Sequence, residues 1–246
     1  MRIKLFTILF ALLAISVMAQ DQLKVEYEVK PYFEADKALP NMNITMHNSY
    51  YELIVDKNES NWDYIERLRN DQDEKEKGMI SVSIENNSSG TLYKNIPEGI
   101  WVEDTKFDNK DYLIKDNLME INWTISRESK TILGIKVQKA TAVLDDEYKT
   151  KVTAWYAPKL VFRNGPEKFE GLPGLILELE TEIIHENKGR EGTTYTAIKL
   201  ETLKSNKKIK VPSKGELVTS EELRAIQEAS LEKMMEMYKS ESVNKD

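Results

Sequence analysis

The chain has 246 residues, of which 40% are hydrophobic and 31% charged, with a formal net charge of −7 and no cysteine. The length suffices for a sizeable core, as one large β domain or two small ones. The acid excess argues against nucleic acid or an anionic membrane surface as the main partner. The lack of cysteine excludes disulfides, thiol catalysis and zinc ribbons, so core packing and sheet hydrogen bonding must hold the fold.

The first residues read as an address. Arg2 and Lys4 precede an apolar run from Leu5 to Val17 broken only by Thr7 and Ser16, and Val17-Met18-Ala19 has the small-x-small pattern of a cleavage site. Residues 1–19 are therefore expected to be a secretory signal peptide, with Gln20 as the mature start. The run is short for the ~20 residues of a spanning helix, so no membrane span is expected after cleavage. No cysteine follows that could carry a lipid. Loss of Arg2 and Lys4 takes the charge from −7 to −9. The mature chain is expected in the periplasm or outside the cell, as one β-rich domain over residues 20–246.

Leu23, Val25, Tyr27 and Val29 alternate with charged residues, which predicts a half-buried strand ended or edged by Pro31. Further strands are expected near residues 43–46 and 50–55. Trp62, Ile65 and Leu68 fall at helical spacing, so residues 61–77 are expected to hold a short helix or a charged surface excursion; the charge run favours a solvated face over a lid. Strands are then expected at 79–84, 91–95, 100–107, 112–115 and 120–125, at the ten-residue spacing of a meander. Asn86 to Gly90 is a strong turn pattern.

Residues 131–144 read as one strand with a bulge at Gly134. Asp145-Asp146-Glu147 joins it to a strand over 149–156 that Pro158 stops. Asn164-Gly165-Pro166 makes a turn. In Gly171-Leu172-Pro173-Gly174-Leu175-Ile176, proline and glycine suit the second and third positions of a type II turn, with positive φ at Gly174. The strand leaving it puts Leu175, Leu177 and Leu179 on one face and Ile176, Glu178 and Glu180 on the other. Ile183 and Ile184 can extend it. Residues 186–192 read as a loop, 193–203 as a strand, and Val211-Pro212 as the close of the sheet. Ser220 is the expected N-cap of a helix from about Glu221 to Lys239, with Leu223, Ile226, Ser230, Met234 and Met237 on one face. The fold class is mainly β: a curved antiparallel sheet or open barrel-like meander of about eleven strands, with a C-terminal helix.

Little of this carries chemistry. His47 and His185 show no metal-ligand spacing, so no metal and no cofactor are expected. There is no phosphate loop and no nucleophile elbow, and no catalytic residue is assigned. Glu178 and Glu180 share a strand face, which solvent exposure explains. Trp101, Trp123, Trp155, Tyr156 and Phe162 lie on or beside predicted strands. They are the candidate ligand-binding residues, although large aromatics also build β cores.

Gly171-Leu172-Pro173-Gly174-Leu175-Ile176 resembles the signature of the GLPGLI family of exported bacterial proteins of unknown function. Thr153 to Pro158, Gly165-Pro166, Phe169, and Trp123 with Lys130, Ile132, Gly134 and Lys139-Ala140-Thr141 resemble its surroundings. Many members carry a cysteine in that upstream block; here Val137 or a neighbour stands in its place. The resemblance implies export, one β-rich domain and association with envelope transport systems, and brings no catalytic residues. Three readings are open: a non-enzymatic carrier or binding protein for a hydrophobic or small ligand; an interaction or structural subunit with an envelope protein partner; and a carboxylate-dependent hydrolase.

Overall fold

A computed structural model describes residues 22–34, 42–67, 80–84, 90–186, 189–203 and 207–243, with backbone only for 42–45, 80–84 and 238–243. The expected signal peptide, the 68–77 part of the charged stretch and the 86–89 part of the expected turn lie outside these residues.

Fourteen strands and one helix are described. They are β1 (Leu23–Glu34), β2 (Met42–Met46), β3 (Ser49–Val55), β4 (Glu59–Tyr64), β5 (Ile80–Ile84), β6 (Leu92–Asn95) and β7 (Ile100–Phe107). There follow β8 (Lys110–Asn117), β9 (Thr124–Ile132), β10 (Ile135–Val143), β11 (Lys151–Ala157), β12 (Leu175–His185), β13 (Gly189–Thr202), β14 (Glu216–Val218) and α1 (Ser220–Val243). Twelve strands make one sheet in the order β14-β8-β7-β6-β4-β3-β1-β13-β12-β11-β10-β9, while β2 and β5 pair separately. The fold is mainly β with a C-terminal helix, as expected. It is not purely antiparallel: β14 runs parallel to β8, and β2 parallel to β5.

The sheet is open, ending at β14 and β9, yet it curls. Its two halves share one apolar cluster that includes Tyr112 and Ile114 of β8 together with Val137 and Ala140 of β10. The period-two pattern builds this inner face: Leu23, Val25, Tyr27 and Val29 are all buried, while the residues between them are not. Three aromatic rings line its middle. Tyr51 stacks on Trp62 with centroids 4.8 Å apart, and Tyr27 lies against the same indole at 5.3 Å. A smaller cluster of Ile54, Tyr93, Val102 and Ile209 covers the outer face. The chain after β13 crosses that face, fixed by two-way amide bonds: Asn61 with the Lys210 backbone (2.7 and 2.8 Å) and Gln22 with that of Lys207 (2.6 and 2.9 Å).

Several expectations are corrected. Trp62 lies on β4, not on a helix, because Asn61 and Trp62 pair with Tyr93 and Leu92. Residues 120–123 precede a strand that starts only at Thr124. Residues 131–144 are not one strand: Leu133 (φ 50°) and Gly134 (φ 77°) form a two-residue hairpin turn between β9 and β10. β1 runs through Pro31, which pairs with Thr193, while the β3 ladder ends at Val29, so the proline lies where β1 has a ladder on one side only. β13 begins at Gly189, inside the expected loop. The sheet continues past Val211-Pro212 into β14.

The helix cap is Thr219 rather than Ser220. Its Oγ1 accepts from the Glu222 N–H at 3.1 Å, and the Glu222 carboxylate accepts from the Thr219 N–H at 2.7 Å, a reciprocal capping box. The start of α1 docks: Leu223 is buried and Ile226 half-buried against the core, whereas Leu231, Met234 and Met237 are exposed. The expected apolar face does not cover the sheet.

Candidate functional site

The link from β11 to β12 folds into the curl of the sheet. Pro158 offers no N–H to continue the ladder, and the chain turns in. Leu160, Phe162, Asn164, Phe169 and Leu172 are all buried. The link's backbone polar groups bond to β12, with Leu175 N–H to Leu160 O and Ile176 N–H to Asn164 O, both 3.0 Å. The Asn164 amide donates to Ser60 Oγ on β4 at 3.0 Å. Residues 158–174 are thus a plug filling the inner face.

The glycine–proline motif is the plug's stem. A Cβ on Gly165 would lie 2.8 Å from the Ile176 side chain, and one on Gly174 2.3 Å from the Ala157 carbonyl oxygen. Gly171, not Gly174, takes positive φ, at 94°. The corner is therefore not the expected type II turn. Gly174 N–H bonds back to Leu172 O at 2.8 Å, which makes a γ-turn around Pro173, and glycine is required at 174 by close backbone approach. The expected alternation after the corner also fails at first. Tyr156 pairs with Ile176 and Trp155 with Glu178, leaving Leu177 as a bulge, so Leu175, Ile176 and Leu177 are all fully buried. Tyr27 OH donates to Ile176 O at the bulge, at 2.5 Å.

A lysine holds the other end of the plug. Lys94 on β6 is fully buried, and its Nζ donates to the carbonyls of Gly165 (2.8 Å) and Phe169 (3.3 Å) rather than to a carboxylate. Burial lowers its pKa from 10.5 to about 7, only partly opposed by the charges of Glu170 and Glu167. Burial in turn raises both carboxyls, against the opposing effects of Tyr195 and Lys168 on Glu167 and of Lys94 on Glu170. Glu167 accepts from Tyr195 OH at 2.7 Å. Burial and the same Glu167 charge push the Tyr195 phenol well up. A lysine titrating near neutrality can act as a base or a nucleophile. Here the amine is enclosed and spent on two carbonyls, which makes it a clamp. Sequence reading passed over Lys94, although strand parity with buried Leu92 was a usable cue.

The five candidate aromatics belong to or pack against the main apolar cluster, and none lines either of the cavities described below. Trp101, Tyr156 and Phe162 are buried in the core. Trp101 lies under the Lys168 ammonium, 3.6 Å from its centroid. Trp123 is half-buried beside the plug and donates from Nε1 to Glu170 O at 2.9 Å. Trp155 lies among Lys130 and Lys139, 4.4 and 5.9 Å from its centroid. Glu178 pairs with Lys130 at 2.6 Å, Glu180 accepts from Tyr32 OH at 3.2 Å, and His185 Nε2 sits 2.9 Å from Glu191 Oε1. No group of three metal-ligating side chains occurs among the described residues. None of the helices among them is long and apolar enough to cross a membrane.

Among the described residues, two of the surface cavities stand out. One, of about 410 Å³, lies where β9, β10 and the start of the plug meet, lined by Arg127, Ser129, Lys136, Val137, Gln138, Pro158 and Lys159. The other, of about 210 Å³, lies by Gly90, Asp104 and Lys214.

These features define an open, mainly β protein with a plugged inner face. A family described as "Protein of unknown function (Porph_ging)" matches residues 144–178, the unit of β11, the plug and the start of β12. No curated protein matches the chain. Two solved structures of PNGF-II share the fold. The one in the C2 space group has a TM-score of 0.51 at 14% identity, and the one in P21 0.52 at 15%. Each comparison covers 83% of this chain but 32% of the PNGF-II chain, so this chain spans about a third of the length of those it resembles.

Proposed function

We propose that this is an exported, GLPGLI-type envelope protein that binds without catalysis, and that it engages its ligand or partner at the β9 end of its surface. The observation that carries the reading is the plugged inner face. A carrier for an apolar molecule needs a hollow, and here Leu160, Phe162, Phe169 and Leu172 occupy the place where one would form. The candidate aromatics have packing partners of their own. Contact is thereby moved from the interior to the surface, where β9 is an edge strand with a cavity beside it.

Native mass spectrometry of the protein from its own host, with extraction of bound molecules, tests the reading. The expected result is a chain starting at Gln20, recovered outside the cytoplasm and without lipid. A stoichiometric lipid would return the carrier role to the interior, and a cytoplasmic chain retaining Met1 would end the export part.

A further inference from the structure

The cavity at the β9 end has a chemistry of its own. The β10–β11 ladder stops at the pair Gln138–Tyr156. The next positions in that register fall to Ala157 opposite Val137 and then to Pro158 opposite Lys136, and proline has no N–H to offer there. β10 continues to Ile135 without a β11 partner, and the sheet splits there. The groove of about 410 Å³ lies at this split. Its charged lining is Arg127, Lys136 and Lys159, with no carboxylate among the lining residues.

Nearby lysines differ. Lys130 is paired with Glu178 and Lys139 with Glu128. Arg127, Lys136 and Lys159 have no ion-pair partner among the described residues. In a chain with 42 acidic and 35 basic residues, three cations converging without an acid mark a site that awaits a negative charge. The size lies within the range of small-molecule sites. A guanidinium suits bidentate recognition of planar or tetrahedral oxyanions, with ammonium groups adding point charge. Ser129 Oγ adds a hydroxyl.

We propose that this groove binds a small organic anion carrying phosphate or carboxylate groups. The proposal rests on the surface-binding reading above and gives it a ligand class.

The test is an amide NMR titration of the whole mature chain at low salt, with inorganic phosphate and with citrate in separate arms. It compares wild type, the triple variant Arg127→Gln, Lys136→Gln, Lys159→Gln, and a control of equal charge change, Lys57→Gln, Lys115→Gln, Lys233→Gln. All six side chains are exposed, so both variants are expected to fold. The expected result is saturable shifts clustered on residues 127–138 and on Lys159 and Leu160. The groove variant should lose affinity by about tenfold or more, and the control by less than about twofold. Saturation by phosphate alone or by citrate alone names the group recognised. Shifts scattered over exposed lysines, equal losses in both variants, or no saturation at millimolar anion would overturn the proposal. Native mass spectrometry of the groove variant from the host separates the two claims: a ligand retained at the wild-type level leaves surface binding standing and removes the groove from it.

Discussion

Replacing Lys94 by methionine tests the clamp and its cost together. The ammonium is fully buried and its pKa is lowered from 10.5 to about 7. An unfolded chain keeps the ordinary value. Between these limits the unfolded state binds more protons than the folded one, so stability rises with pH across that window. Below about pH 7 the folded protein carries the full cost of a buried charge; above about 10.5 both states are neutral and that cost is gone. At about 1.4 kcal/mol per pH unit, the whole window amounts to something on the order of 5 kcal/mol. Lys94→Met abolishes this dependence but leaves the Gly165 and Phe169 carbonyls without their donor, at roughly 1–3 kcal/mol each. The two effects nearly cancel at neutral pH and separate in base. Urea unfolding of both proteins from pH 6.5 to 10, followed by tryptophan fluorescence, gives a difference curve from which all other titrations drop out. Wild type should gain on the variant by several kcal/mol as pH rises. A flat difference curve, or one with the opposite slope, would refute the buried-ammonium argument.

Four other expectations follow from the geometry. Gly174→Ala drives a Cβ against the Ala157 backbone and should cost about 3 kcal/mol, lowering Tm by roughly 6–12 °C in a calorimetric scan; a wild-type Tm would show that the corner yields easily. Tyr27→Phe removes the donor to Ile176 O and should cost about 1–2 kcal/mol in urea unfolding, with no change in m-value. Thr219→Ala should cost about 1 kcal/mol and Ser220→Ala little, because the capping box belongs to Thr219; equal effects on helical circular dichroism would reverse that assignment. Gly134→Ala, with open space around it but φ of 77°, should cost about 1 kcal/mol through strain alone, well below the Gly174 value.

The strands that bury one face were legible as alternation. β1 and the alternating part of β11 lie where Leu23 to Val29 and Val152 to Tyr156 place them, and β7 covers the expected residues 100–107 although it buries Trp101 and Val102 on opposite faces. What could not be read was set by contacts remote in sequence. Trp62, Ile65 and Leu68 fit a helical stripe as well as a strand, and pairing of Asn61 and Trp62 with β6 decides between them. The run from Ile132 to Ile135 looks continuous because both sides of a tight hairpin are apolar. Three residues of β14 are too few to show a period. The motif at 171–176 was legible as a corner, but its turn type was not, because glycine at 174 answers to Ala157 rather than to its own φ. At the site, Phe162 and the glycines were picked out as motif or candidate residues. Lys94, Tyr195 and Ser60 were not, because a plug reaching across to β4 and β6 leaves no local trace.

The seam between β1 and β13 joins the first strand to the last but one, with Leu23 opposite Thr202. A chain made from its amino end therefore holds its central ribbon half-bonded, to β3 alone, until most of its length has been made. Premature compaction is discouraged by connectivity itself, and the two wings can form as separate meanders before β13 zips them into one body.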